Sequence, residues 1–225
     1  MRPAEPLLVC ALSGRALAES ARRAGFAAYV LDRFGDLDTR AAAAAWATVP
    51  PGRTRPFART ALLRAAAALA PPPLPLVWGG GFDGAPDLLA ALARGRELLG
   101  NRAEVVRRIT DPFAFAATCG RRGVPVPEMR AELPACRDGW LVKRRGGSGG
   151  GHVRAAAAMP RLAAGDYVQR QVAGTPVSIL LLGDGRRCLP LLASEQWAAG
   201  NPPRFTGVLA PAPLDGRLLA RLGEA

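Results

Sequence analysis

The residues best equipped for chemistry are Lys143 and the glycines that follow it. The stretch Trp140-Leu141-Val142-Lys143-Arg144-Arg145 runs directly into Gly146-Gly147-Ser148-Gly149-Gly150-Gly151, five glycines and one serine in six positions, and then His152-Val153. Glycine reaches positive φ and lets backbone N–H groups approach an anion with no β-carbon in the way. An ammonium at the edge of such a loop adds a charge-assisted hydrogen bond to a phosphate oxygen. The expected chemistry is polyphosphate binding, with Lys143 as the cation and Gly146, Gly147, Ser148, Gly149, Gly150 and Gly151 as the cradle. Of the thirty basic residues Lys143 is the single lysine, which fits a position where a compact ammonium serves better than a planar guanidinium. A Walker A loop would read G-x-x-x-x-G-K-[ST] and open a helix. Here the lysine precedes the glycines and apolar residues flank the loop on both sides, so the expectation is a strand–loop–strand flap with its return strand at His152-Val153. A glycine linker or an ordinary hairpin is the plain alternative.

Other polar residues carry weaker signals. Arg15, beside Gly14 at a strand-to-helix turn, could hold an acidic group near a helix N-terminus, or simply face solvent. His152 is the one histidine, and a catalytic role for it is disfavoured. One histidine and the wide spacing of Cys10, Cys119, Cys136 and Cys188 argue against a zinc site, and reduced, mostly buried thiols are expected. The net charge of +12 raises the question of nucleic acid, but the arginines are scattered and aromatic residues make up only 6%, which argues against it. No apolar run approaches the ~20 residues that cross a bilayer. The start of the chain lacks a signal-peptide core, so a cytoplasmic location is the default expectation.

The elements that must position these groups fall into two parts. Residues 6–12 form a continuous apolar run, expected of a strand buried on both faces. Ser13-Gly14-Arg15 turns into a helix over 16–24 closed by Gly25, and 27–31 is the next strand, ending at Asp32. This order resembles a Rossmann-like half, but the G-x-G-x-x-G fingerprint is missing and dinucleotide binding is rejected. An Ala-rich helix over 58–69, a strand over 74–78 and a helix near 86–94 complete an α/β domain assigned to residues 1–100, with a parallel sheet. A second domain, 101–225, begins with helices over 102–110 and 112–122, the latter capped by Asp111. Strands follow at 140–144, 153–155, 167–172, 177–182 and 188–193, giving an antiparallel-rich α+β module.

At this point the sequence resembles the ATP-grasp ligases. The match runs through Leu98-Leu99-Gly100-Asn101, Asp111-Pro112, Gly123-Val124-Pro125-Val126-Pro127-Glu128, the Lys143 strand with its glycine loop, and residues 167–178. The resemblance implies an α/β fold: a Rossmann-like pre-ATP-grasp domain followed by an α+β ATP-grasp domain, here incomplete at its C-terminal end. It further implies ATP as ligand, with Gln169 where a hinge carboxylate often stands and the backbone of Arg170 and Val172 at the adenine edge. Pro176 occupies a position where relatives often carry a ribose-binding Glu. Ser178 and Glu195 are site-facing candidates or ordinary strand residues.

Within the family the chain is similar to small ATP-grasp proteins of methylotrophs and methanogens, a group that includes tyramine–glutamate ligases and is linked to tetrahydromethanopterin and methanofuran metabolism. That similarity is carried by Ser13-Gly14-Arg15, the 34–39 segment and Ser194-Glu195-Gln196-Trp197. The implied activity joins a small carboxylate to an amine through an acyl phosphate. Family members use Mg²⁺, held late in the chain by an Asp or Glu and a Glu-x-Asn. After Glu195 this sequence offers only Asp215 and Glu224, so the Mg²⁺ ligands are not found. A truncated product, half of a split enzyme and a non-catalytic nucleotide-binding remnant all remain open, as do a homo-oligomer and a complementing second chain.

Overall fold

The structure is a computed structural model, and it describes residues 5–53, 55–201, 203–214 and 216. The chain divides into two compact units, Met1–Thr110 and Asp111–Ala225.

In the first unit, β1 (Glu5–Cys10), α1 (Arg15–Arg23), β2 (Phe26–Asp32), α2 (Leu37–Ala42), β3 (Ala45–Thr48), α3 (Arg59–Leu69), β4 (Leu76–Trp78), α4 (Pro86–Leu92) and α5 (Ala103–Thr110) follow one another. The four strands form a parallel sheet in the order β3-β2-β1-β4. Alternation along β1 explains its unbroken apolar run. Leu8 and Cys10 enter one core with Leu31, Phe57, Leu62, Phe82 and Leu89, while Leu7 and Val9 enter a second with Ala18 and Val30. Both faces are covered, as a parallel sheet requires.

Asp32, at the end of β2, is 1% exposed. Its carboxylate accepts the N–H groups of Gly14 (3.1 Å), Phe34 (3.1 Å) and Gly35 (2.8 Å). A charge can be buried when hydrogen bonds replace its water, and these three fix the turns after β1 and β2. The acid that a dinucleotide fold would aim at a ribose is here consumed by backbone.

The second unit opens with α6 (Pro112–Arg121), whose first turn is capped by Asp111 accepting from Phe113 N and Ala114 N at 3.0 Å each. β5 (Met129–Arg130), β6 (Trp140–Arg144), β7 (Arg154–Ala155) and β8 (Asp166–Arg170) build an antiparallel sheet in the order β5-β8-β6-β7. Trp140, Val142 and Val168 point to its buried side and pack with Ala156, Leu133, Met159 and Leu162. By the two-residue period of a strand, Leu141, Lys143, Tyr167 and Gln169 share the opposite face.

A separate three-stranded sheet comprises β9 (Val177–Gly183), β10 (Cys188–Ala199) and β11 (Arg204–Leu209), ordered β11-β10-β9. Apolar side chains are exposed on both of its faces: Leu180, Leu182, Leu189 and Val208 on one, Leu181, Trp197 and Leu209 on the other.

Several sequence expectations need correction. β10 continues to Ala199 rather than stopping at Ala193, and β11 was not anticipated. Its Gly207 breaks the apolar alternation for a steric reason: a β-carbon there would sit 2.3–2.7 Å from the Trp197 indole. α2 and β3 were also missed, because Ala-rich sequence hides the change of period. The return strand is Arg154–Ala155, and His152-Val153 belongs to the loop. Only Cys10 and Cys119 are buried, whereas Cys136 and Cys188 are exposed. Burial, with the Asp32 carboxylate nearby, pushes the Cys10 thiol far up, so it stays protonated.

Candidate functional site

Lys143 lies on β6 opposite Tyr167 of β8. Its ammonium donates to Oε1 of Gln169, the diagonal neighbour on the same sheet face. Partial burial lowers the Lys143 pKa by disfavouring the charged form. Its two arginine neighbours are already matched with acids: Arg144 with Asp166 at 3.0 Å and Arg145 with Asp111 at 2.8 Å. Lys143 makes no ion pair among the described residues. It is therefore a partly desolvated cation held by a neutral carbonyl, the state in which an incoming anion is attracted most strongly. Tyr167 stacks edge-on against Phe113 of α6 (centroids 6.2 Å), and the Arg145 guanidinium lies 5.2 Å from the Phe113 ring. Burial raises the Tyr167 pKa, so the phenol stays neutral.

The glycine loop is anchored at two points. Near its start, the His152 imidazole lies over Gly147, where a β-carbon would come within 2.6–2.7 Å of three ring atoms. Near its end, Gly150 (φ +78°) approaches the Pro203 carbonyl so closely that a β-carbon would lie 2.2 Å from the oxygen. Phe205 N–H of β11 donates to the Gly149 carbonyl at 3.3 Å. Gly149, Gly150, Pro176, Gln196, Trp197, Ala198 and Phe205 line a cavity of about 400 Å³. Beside it, Gln196 Nε2 donates to Ser178 Oγ (2.6 Å), which is also 2.9 Å from Ser194 Oγ.

The structure thus gathers part of the expected set. Lys143 and Gln169 meet directly, whereas Gly149 and Gly150 face the cavity of the β9–β11 sheet. Arg170 turns its side chain to the other face of β8, over Trp140 (5.5 Å) and onto the Asp138 carbonyl (3.0 Å). Its backbone N–H is bonded to Glu128 O at 2.8 Å. Val172 lies beyond the end of β8 and is 66% exposed. Ser148 and Gly151 are exposed loop positions. Arg15 pairs at 3.4 Å with Asp38, and Asp36 in the 34–39 segment caps α2 by accepting Thr39 N–H at 2.8 Å. That bond is the main reason its carboxyl is held below the usual range. The sequence reading missed Trp197 and Phe205 as cavity walls, since the strand that carries Phe205 was not foreseen.

Among the described residues, no three His, Cys, Asp or Glu side chains converge as metal ligands. Glu195 stands between Val177 and Leu209 in the sheet register. Asp215 and Glu224 lie outside the described residues. No helix among the described residues is long and apolar enough to cross a membrane.

Residues 109–220 match the ATP-grasp domain family. No match was found among curated proteins. Among solved structures, N5-carboxyaminoimidazole synthetase from Staphylococcus aureus, complexed with ADP, superposes with a TM-score of 0.64 at 14% identity, over 99% of this chain and 63% of that one. The N5-carboxyaminoimidazole synthase of Aspergillus clavatus, complexed with ADP and 5-aminoimidazole ribonucleotide, gives 0.69 at 14%, over 100% and 61%. The biotin carboxylase domain of Hydrogenobacter thermophilus 2-oxoglutarate carboxylase, with MgADP and bicarbonate, gives 0.69 at 13%, over 96% and 56%. The chain therefore spans about three fifths of the length of these structures.

Proposed function

Because this chain belongs to the ATP-grasp superfamily, we propose that it binds ATP with Lys143 on the phosphates and the 146–151 loop folded over them. The observation that carries this reading is the pairing of an unneutralised, partly buried Lys143 with a glycine loop pinned down at both ends. The loop's N–H groups would face phosphate oxygens, and Gln169 would release the ammonium to the stronger anionic acceptor. The backbone of Arg170 and Val172 is assigned to the adenine edge.

The reaction class is carboxylate–amine ligation. ATP transfers its γ-phosphoryl to a carboxylate, releasing ADP, and an amine displaces phosphate from the acyl phosphate. Stabilising charge on the transferring group is the main task of such a site. Lys143 would supply compensating positive charge to the α- or β-phosphate, and no step is assigned to Mg²⁺. A role in tetrahydromethanopterin- or methanofuran-linked C1 metabolism belongs to the same proposal.

Calorimetric titration with ATP tests the binding. Lys143→Ala should weaken it by roughly 10–100-fold, since a hydrogen bond to a charged group is worth about 1.5–3 kcal/mol. Unchanged affinity would remove the basis of the assignment.

A second reading, a nucleotide-binding subunit that needs a complementing chain for turnover, is favoured by one observation. The β9–β11 sheet exposes leucines on both faces, with Leu180, Leu182 and Leu189 each about 60% exposed, and apolar surface of that extent usually marks an interface. This reading expects ATP binding without ADP release until the second polypeptide is added.

A further inference from the structure

We propose that His152 is a proton-loaded clamp of the phosphate loop: neutral while it rests on Gly147 in the free chain, and protonated when a polyphosphate enters, so that it adds a second cation beside Lys143. This rests on the nucleotide reading above and goes beyond it by naming a further positioning residue.

The geometry comes first. The imidazole covers Gly147 so closely that no larger residue fits beneath it in this arrangement. The ring therefore touches the segment whose amides are to meet the anion. Charged groups face it from both neighbouring strands, Lys143 and Arg144 from β6 and Arg154 from β7. Arg154 also donates to the His152 carbonyl at 3.3 Å. Arg144 is matched by Asp166, whose side chain is 8% exposed, while Lys143 and Arg154 form no ion pair among the described residues. The free loop is thus a positively charged setting in which a third cation is unwelcome. Burial is the largest influence and holds the His152 pKa below its ordinary 6.5; the hydrogen bond with the Ser148 backbone pulls the other way, and Lys143, Arg144 and Arg154 each add a smaller push downward.

A polyphosphate reverses the sign of that field. Its negative charges lower the energy of the imidazolium and raise its pKa, and linkage requires the reciprocal effect. A ligand that raises the pKa of a group binds more tightly where that group is protonated. Affinity should therefore increase as pH falls from above the bound-state pKa towards the free-state one. Each unit of pKa difference corresponds to tenfold in affinity.

The chain contains one histidine, so its imidazole C–H resonances can be followed by NMR without assignment by mutation. The 225-residue chain is titrated from pH 5 to 8 alone, with saturating ATP, and with inorganic tripolyphosphate, which lacks adenine. The midpoint should lie below 6.5 in the free protein and move up by about one unit with either ligand. In parallel, ATP affinity is measured for the wild type and His152→Gln at pH 8 and pH 6. The γ-phosphate of ATP titrates identically for both, so it cancels in their ratio, which should rise about threefold to fivefold between pH 8 and pH 6 and approach tenfold only below the free-state midpoint.

A titration curve that does not move when ATP is bound, or a flat affinity ratio, overturns the clamp while leaving ATP binding standing. Absence of ATP binding to the wild type overturns both readings. Should His152→Gln fail to fold, the wild-type NMR titration alone decides.

Discussion

Replacing Gly150 by alanine isolates the contact that ties the glycine loop to β11. Two costs are legible at this position. The residue holds φ at +78°, where a β-carbon costs roughly 1–2 kcal/mol. The added carbon would also lie 2.2 Å from the Pro203 carbonyl oxygen, a backbone atom that cannot swing aside. The loop must then lift off β11, giving up the Phe205 N–H to Gly149 O bond, worth about 0.5–1.5 kcal/mol. Together these make roughly 1.5–3.5 kcal/mol against the docked loop, or about 10- to 300-fold in ATP affinity at 1.4 kcal/mol per decade. Two neighbours supply the controls. Gly149 has φ +70° but no neighbour within 4 Å of an added carbon, so Gly149→Ala bears the conformational cost alone. Gly151 has neither a positive φ nor a neighbour within 4 Å of an added carbon, so Gly151→Ala carries no anchoring cost and should lose the least. Calorimetry with ATP across the three variants, with thermal melts to verify folding, should order them Gly151→Ala, Gly149→Ala, Gly150→Ala by increasing loss. Equal affinities for the Gly150 and Gly151 variants would refute the anchoring argument.

Gly147→Ala should displace the imidazole into solvent and bring the His152 titration midpoint up towards 6.5 by NMR in the ligand-free protein; an unmoved midpoint would mean that the ring does not depend on this contact. The His152 contribution to stability has a definite sign: its folded-state pKa is depressed, so stability is full above pH 6.5 and lost as pH falls below it. Urea melts of wild type minus His152→Gln should show that difference only on the acid side. Asp32→Ala strands three backbone N–H groups that now share a buried carboxylate, and chemical denaturation should report a loss of about 3 kcal/mol or more, as one unsatisfied buried donor already costs ~1–3 kcal/mol.

The apolar run of β1, the capping of α6 by Asp111 and the strand that delivers Lys143 to its loop could all be read along the chain, because each depends on neighbours within a few residues. A continuous apolar segment has no exposed face, an Asp before a Pro satisfies the first amides of a helix, and clustered glycines withdraw side chains from the backbone. The chemical type of the site, one ammonium and a ribbon of accessible amides, was fixed at that level as well. Folding decided which groups meet. Lys143 touches Gln169 because the β6–β8 register places positions 26 residues apart on one face, and no local pattern encodes that register. Gly147 and Gly150 look identical in sequence, yet one lies under an imidazole and the other against the carbonyl of Pro203. The pairing of Asp32 with the β1 turn, the role of Gly207 beneath Trp197 and the exposure of both faces of the β9–β11 sheet are likewise products of long-range contact. Residue types specify what a site can bind, but distances between segments remote in sequence determine which residues share a charge, a cavity wall or a steric limit, and only the tertiary structure sets those distances.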